Sequence, residues 1–179
     1  MLAFVISGCD LFSPRTPDPP LEGGGNYVQP DTPAQVVENI RNAVADLNAQ
    51  NYRRSFAEDL QFEPTADAAA DDPSIWTGWG TQEEESYFRA LAEAARLTTD
   101  NDLRLSDVDE TAGDMLHTLD ATYLLTINHR RPELPTTLQG RLVWTIEQGE
   151  DGLWRVTAWT DRALGDAAAW SDLKAAFIQ

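Results

Sequence analysis

Lysine is almost missing from these 179 residues: Lys174 stands alone among the 13 basic side chains, and the rest are arginine. Basic residues of either kind are scarce against 30 acidic ones, which leaves a formal net charge of −17 and a pI near 4.2. A chain so acidic has no basic face with which to neutralise phosphates, and nucleic acid is excluded as an expected partner. Cysteine occurs once, at Cys9, so no disulfide can form within the chain and stability must come from packing. The two histidines, His117 and His129, are 12 residues apart on one expected strand, about 40 Å of extended chain. They cannot share a metal ion. Asp107-Val108-Asp109 begins like a calcium loop, but Ala112 stands at the turn-glycine position and Thr118 at the final glutamate position, so an acidic hairpin turn is expected there. No glycine-rich phosphate loop is present, and neither a cofactor nor a metal is expected. No apolar run approaches the roughly 20 residues that span a bilayer. What is present, 42% apolar and 24% charged residues, suffices for one core of ordinary size and excludes a wholly disordered chain.

The N-terminus suggests a location. Leu2 to Ile6 is apolar, and Ser7-Gly8-Cys9 follows at once. Ile6-Ser7-Gly8-Cys9 resembles the lipobox of bacterial lipoproteins: an aliphatic residue, two small ones, then cysteine. In that family the cysteine is lipidated and becomes the first mature residue, so the resemblance implies a lipid anchor on Cys9, export, and a place in the cell envelope. The apolar run is about half the usual length and no Lys or Arg precedes it, so the start codon is expected upstream. Residues 1–8 are then a signal-peptide remnant. Residues 9–30 form a tether with Pro14, Pro17, Pro19, Pro20 and Gly23-Gly24-Gly25, too poor in apolar surface to fold. Residues 31–179 form the folded domain.

Within that domain the period of the apolar residues changes once. Thr32-Pro33-Ala34-Gln35 reads as a capped helix start, followed by Val36, Val37, Ile40, Val44 and Leu47 on one face. Tyr52, Phe56 and Leu60 continue at i, i+4, which predicts a short second helix ending near Pro64, with a loop from Thr65 to Ser74. A capping box at Thr81-Gln82-Glu83-Glu84 opens a third helix, with Tyr87, Phe88, Leu91 and Leu97 inward and Glu83 to Glu85 solvated. After Asp100 the period becomes two. Strands are expected at Leu103 to Val108, Met115 to His129 with the odd positions inward, Thr137 to Gln148, and Leu153 to Arg162, with Asp109 to Asp114 as a turn. Trp170, Leu173 and Phe177 then fall at helical spacing.

Helices followed by long strands predict an α+β fold, with N-terminal helices packed on a curved antiparallel sheet. The capped helix, the Tyr52-to-Phe56 segment running into Asp59-Leu60-Gln61-Phe62, the third helix and the final Gly-Leu-Trp-Arg-Val strand resemble the NTF2-like (SnoaL-like) cone over about Thr32 to Arg162. That fold does not require the tail from Trp170 to Phe177. Enzymes of the family use an Asp or His inside the cone as general base with a Tyr or second Asp beside it, so the resemblance implies Asp59, His117, Tyr52 and Tyr123 as catalytic candidates. Their alternative roles are structural: a solvated or capping carboxylate for Asp59, a core histidine for His117. Trp76 and Trp79, in a Gly-rich loop before a helix, with Tyr123 and Trp144 on strands, are the candidate ligand-binding residues; a plug closing the core is the alternative for the loop pair. The expectation is a membrane-tethered, non-catalytic domain binding a small apolar ligand or a protein partner. A small lyase, isomerase or hydrolase with an Asp or His base, and a structural module forming a homodimer through its sheet, are the alternatives.

Overall fold

The computed structural model describes residues 25–95 and 100–178. Cys9, the lipobox, most of the tether and Leu97 lie outside them. Ten elements follow in order: α1 (Pro33–Asp46), α2 (Ala49–Arg54), β1 (Phe56–Glu63), α3 (Ala66–Asp71), α4 (Thr81–Ala94), β2 (Asp102–Ala112), β3 (Leu116–Thr126), β4 (Thr137–Gln148), β5 (Trp154–Ala163) and α5 (Trp170–Ile178). The strands form one sheet in the order β1-β5-β4-β3-β2, with helices packed against it, so the fold is α+β as expected.

Helix α1 starts as its sequence requires: Thr32 Oγ1 accepts the Gln35 amide and Pro33 occupies the first turn. Its inward face carries Val36, Ile40, Ala43 and Val44 against β2 and β5. Asn39 on the same helix exchanges two hydrogen bonds with the backbone of Val28, and Pro30 O accepts the Trp154 amide, so residues 28–30 are held against the domain.

The expected second helix is the main correction. Helix ends at Arg54, and Phe56 to Glu63 is strand β1, paired in parallel with β5 through Phe62 opposite Trp159. The sheet is therefore mixed, not wholly antiparallel. Phe56, Leu60 and Phe62 are buried, but at the register shift between Phe56 and Gln61 the intervening Glu58 is exposed, so the i, i+4 run from Tyr52 through Leu60 imitates a helix. The expected loop from Thr65 to Ser74 contains helix α3, with Thr65 Oγ1 accepting the Ala68 amide. Helix α4 begins one residue earlier than its capping box implied: Gly80 is the cap, and Glu83 accepts the Gly80 amide. Asp107-Val108-Asp109 is not a hairpin turn. It lies inside β2, where a register shift and a positive φ of 46° at Asp107 form a bulge.

On β3 the expected alternation holds, with His117, Leu119, Ala121, Tyr123 and Leu125 buried, whereas Met115 falls in the hairpin connection and is 61% exposed. Strand β4 matches its expected bounds and buries Leu138, Leu142, Trp144 and Ile146. Gly140 sits opposite Tyr123, where an added Cβ would come within 2.6 Å of the phenol oxygen. The glycine makes room for that ring to lie across β4. The C-terminal tail, which the resembled fold does not require, is an integral part of this core: Trp170 and Lys174 have no exposed surface, and Leu173 and Phe177 are almost as deep.

Candidate functional site

Two polar networks converge inside the cone, and α5 enters both. In the first, Glu84 of α4 is 1% exposed, and every oxygen of its carboxylate is used. Oε1 accepts from the Tyr52 hydroxyl at 2.7 Å; Oε2 accepts from Trp79 Nε1 at 2.8 Å and from Lys174 Nζ at 2.7 Å. The ammonium of Lys174 lies 3.4 Å from the ring centre of Trp159 and 3.5 Å from that of Phe62, with Trp79 and Tyr87 at 5.8 and 5.9 Å. Aromatic faces are electronegative, so these rings stabilise the cation that Glu84 neutralises. Burial nonetheless pulls the Lys174 pKa down from 10.5 to about 8, against the pull of Glu84. Burial, reinforced by Glu84, pushes the Tyr52 and Tyr87 hydroxyls well up, so both remain donors at any ordinary pH.

In the second network Asp161 of β5 is 2% exposed. Its Oδ1 accepts from the Tyr123 hydroxyl at 2.9 Å, and its Oδ2 accepts from the Ser171 amide at 2.7 Å and the Ser171 hydroxyl at 2.6 Å. Tyr123 in turn accepts the Trp170 amide at 2.6 Å, and Trp170 Nε1 donates to Tyr87 at 2.9 Å. Burial raises the Asp161 pKa, opposed by the bonds from Ser171. This pairing fixes the first turn of α5 over β5, and Arg131 holds the last turn by donating to Ala176 O and lying over the Phe177 ring.

The expected site residues are scattered among these features. Asp59 is on the exposed side of β1, not at a helix end, and takes no part in either network. His117 sits 3.8 Å from Glu110, beside a groove of about 260 Å³ lined by Pro33, Val37, Ala112 and Trp154. His129 is at the far end of the β3 segment, its Nε2 against Pro135 O. Tyr52 and Tyr123 are inside the cone as the resemblance implied, but each belongs to a different network. Trp79 is buried against Phe62 and Trp76, and Trp76 donates to Ala68 O, so the loop pair closes the core. Trp144 stands edge-on to Trp159. The indole N–H groups of Trp144 and Trp159 find no hydrogen-bond partner among the described residues, an omission that costs about 1–3 kcal/mol each.

Sequence reasoning missed Glu84, Asp161 and Lys174. Glu84 looked like one of three solvated acids at a helix start, and its burial corrects that expectation. The available signals were weak: one lysine in the whole chain, falling on the apolar face of Trp170, Leu173 and Phe177, and an aspartate inside an alternating strand. Among the described residues no group of three or more His, Cys, Asp or Glu is placed to hold a metal ion.

No family model and no curated protein matches the chain. Solved structures do. A proposed scytalone dehydratase from Novosphingobium aromaticivorans superposes with a TM-score of 0.57 at 12% identity, over 75% of this chain and 87% of that one. An NTF2-like protein of unknown function in nutrient uptake from Rhodospirillum rubrum gives 0.55 at 18% identity, over 73% and 97%. An NTF2-like protein from Cytophaga hutchinsonii gives 0.54 at 11% identity, over 73% and 94%. Proteins of such different description share the architecture, so it fixes no activity. The chain has the NTF2-like, cystatin-like fold.

Proposed function

We propose that the chain is a cell-envelope lipoprotein domain, exported and held at a membrane by a lipid on Cys9, which works by binding a protein partner and not by catalysis. One observation carries the non-catalytic part: α5 occupies the cone. A general base must stand within about 3 Å of the proton it takes. Here the space beside Asp161 and Tyr123 is filled by Trp170 and Ser171, and the space beside Glu84 by Lys174. Asp59 lies on the exposed side of β1 and His117 beside the groove at α1, so neither faces either polar network.

Binding then belongs to the outside. Met115 and Leu116 are 61% and 46% exposed where β3 begins, and Ala112 and Gly113 of the same hairpin line the groove beside His117. At about 260 Å³ the groove is smaller than the roughly 300–1,000 Å³ of small-molecule pockets and suits one inserted side chain. Cys9 and the tether supply the membrane location through the lipobox resemblance. Native mass spectrometry of protein from its own source tests the binding mode. A bound polypeptide is expected; a retained small apolar molecule would replace this reading with the ligand-binding one, and a homodimer with the sheet-paired module. Metabolic labelling with a fatty-acid analogue tests the anchor, since wild type should label and Cys9→Ser should not.

A second reading, a small lyase, isomerase or hydrolase, is favoured by one pair. Asp161 and Tyr123 are a buried acid and phenol in hydrogen-bond contact, and they would face solvent if α5 left. Turnover by protein whose α5 is unlatched by Asp161→Asn would not support it, because the acid is then gone; turnover by Ser171→Ala would.

A further inference from the structure

The surroundings of Lys174 resemble a ligand site more than a lysine's ordinary environment. Elsewhere the chain places its basic charge on arginine; the one ammonium is used where no guanidinium is found. A compact ammonium suits a closed box, whereas the planar fork of arginine needs several acceptors in its own plane. The walls of the box and its counter-charge lie outside α5. Its rings come from β1, β5, α4 and the 76–79 loop, and its carboxylate comes from α4, already oriented by Tyr52 and Trp79. From α5 come the cation and Trp170, which packs on Trp159 at 4.7 Å and donates to Tyr87 at 2.9 Å. A finished apolar core gains little from such an arrangement, because a buried ion pair recovers its desolvation only through well-aligned partners.

We infer that the cone is a built site for a compact organic ammonium, with Phe62, Trp79, Tyr87 and Trp159 as its walls and Glu84 as its counter-charge, occupied in the resting chain by Lys174. The ligand class is a primary amine or small alkylammonium head. The inference does not depend on the lipid anchor or on the partner groove.

The test removes the occupant. Lys174→Ala deletes the atoms of one propylammonium and leaves the box standing. With n-propylammonium chloride at ten times its dissociation constant, the Tm of Lys174→Ala should rise by about 3 °C. The neutral isostere 1-propanol and sodium chloride at equal concentration should not reproduce the rise. Wild type, whose box is filled, should not respond, and neither should Lys174→Ala/Glu84→Gln. If Lys174→Ala does not fold alone, propylammonium-dependent recovery of its folded circular dichroism is the equivalent readout. No response to propylammonium, an equal response to propanol or in wild type, or a response that survives Glu84→Gln overturns the inference.

Discussion

On α1 the buried apolar side chains Val36, Ile40, Ala43 and Val44 are aliphatic, the one buried polar residue, Asn39, is bonded to the Val28 backbone, and among the described residues no charged side chain of this helix is buried. Beneath α5 the same sheet meets Glu84, Lys174 and Asp161, three tyrosine hydroxyls and the indoles of Trp79 and Trp170. Both regions are equally deep, yet they are specified differently. The aliphatic region needs only volume and periodicity, and many sequences would satisfy it. The polar region needs particular pairs, because each buried donor or acceptor without its partner costs more than the pair contributes. Damage on the α5 side should therefore not be additive.

The largest effect expected from this contrast is the loss of one half of the buried ion pair. Lys174→Met leaves the Glu84 carboxylate enclosed with two neutral donors, and Glu84→Leu leaves the ammonium enclosed among rings. Each should cost about 3–5 kcal/mol in urea unfolding. The double variant should recover most of that loss, falling short by about 1–2 kcal/mol because Tyr52 and Trp79 lose their acceptor. Ile40→Val, on the α1 side, should cost about 0.5–1.5 kcal/mol and add independently to either. Additive losses in the ion-pair cycle would erase the distinction between the two regions.

A smaller effect sharpens the same comparison through pH. Lys174 titrates near 8 in the folded chain, below its ordinary 10.5. Between those values the unfolded chain holds a proton that the folded chain has released, so stability climbs as pH rises from 8 towards 10. Above about 10 the sign reverses. Tyr52, Tyr87 and Tyr123 have raised pKa values, so the folded chain keeps protons that the unfolded chain gives up, and stability falls. Urea midpoints at successive pH values should therefore pass through a maximum, and Lys174→Met should flatten the climb without altering the fall. A wild-type midpoint with no climb between pH 8 and 10 would mean that Glu84 stabilises the ammonium at least as much as burial penalises it.

The two regions also differ in how far their residues reveal them. Helix α1, strands β3 and β4 and the helical spacing of α5 were legible, because each buries one face and keeps one period; β5 was legible although its inward parity changes between Val156 and Trp159. Strand β1 was not: its register shift against β5 produces an apparent helical spacing, and parallel pairing with a strand nearly 100 residues away leaves no local mark. The networks were hidden for a related reason. Glu84 is one of three consecutive glutamates, and only its place on the turn facing α5 separates it from Glu83, which caps the helix, and Glu85, which pairs with Arg53 and Arg89. Charge at a helix start explains all three equally well from local sequence. The partner 90 positions later is what distinguishes one.

The smallest expected effect concerns one of the catalytic candidates of the sequence. Asp59 lies on the solvent side of β1, while Leu60 and Phe62 turn inward beside it. An exposed carboxylate outside both networks has no buried partner to abandon, so Asp59→Asn should move the urea midpoint by an amount equivalent to less than about 0.5 kcal/mol. His117→Gln should exceed that modestly, since the imidazole is 9% exposed and faces Glu110 at 3.8 Å. Asp161→Asn should exceed both, because an amide cannot accept from Tyr123 and from Ser171 at once with both of its former oxygens. The ranking Asp161 over His117 over Asp59 is what a cone organised around α5 requires. An Asp59→Asn loss as large as that of Asp161→Asn would place an essential contact on the outer face of β1 and break the assignment of the polar interior as the specified part of this molecule.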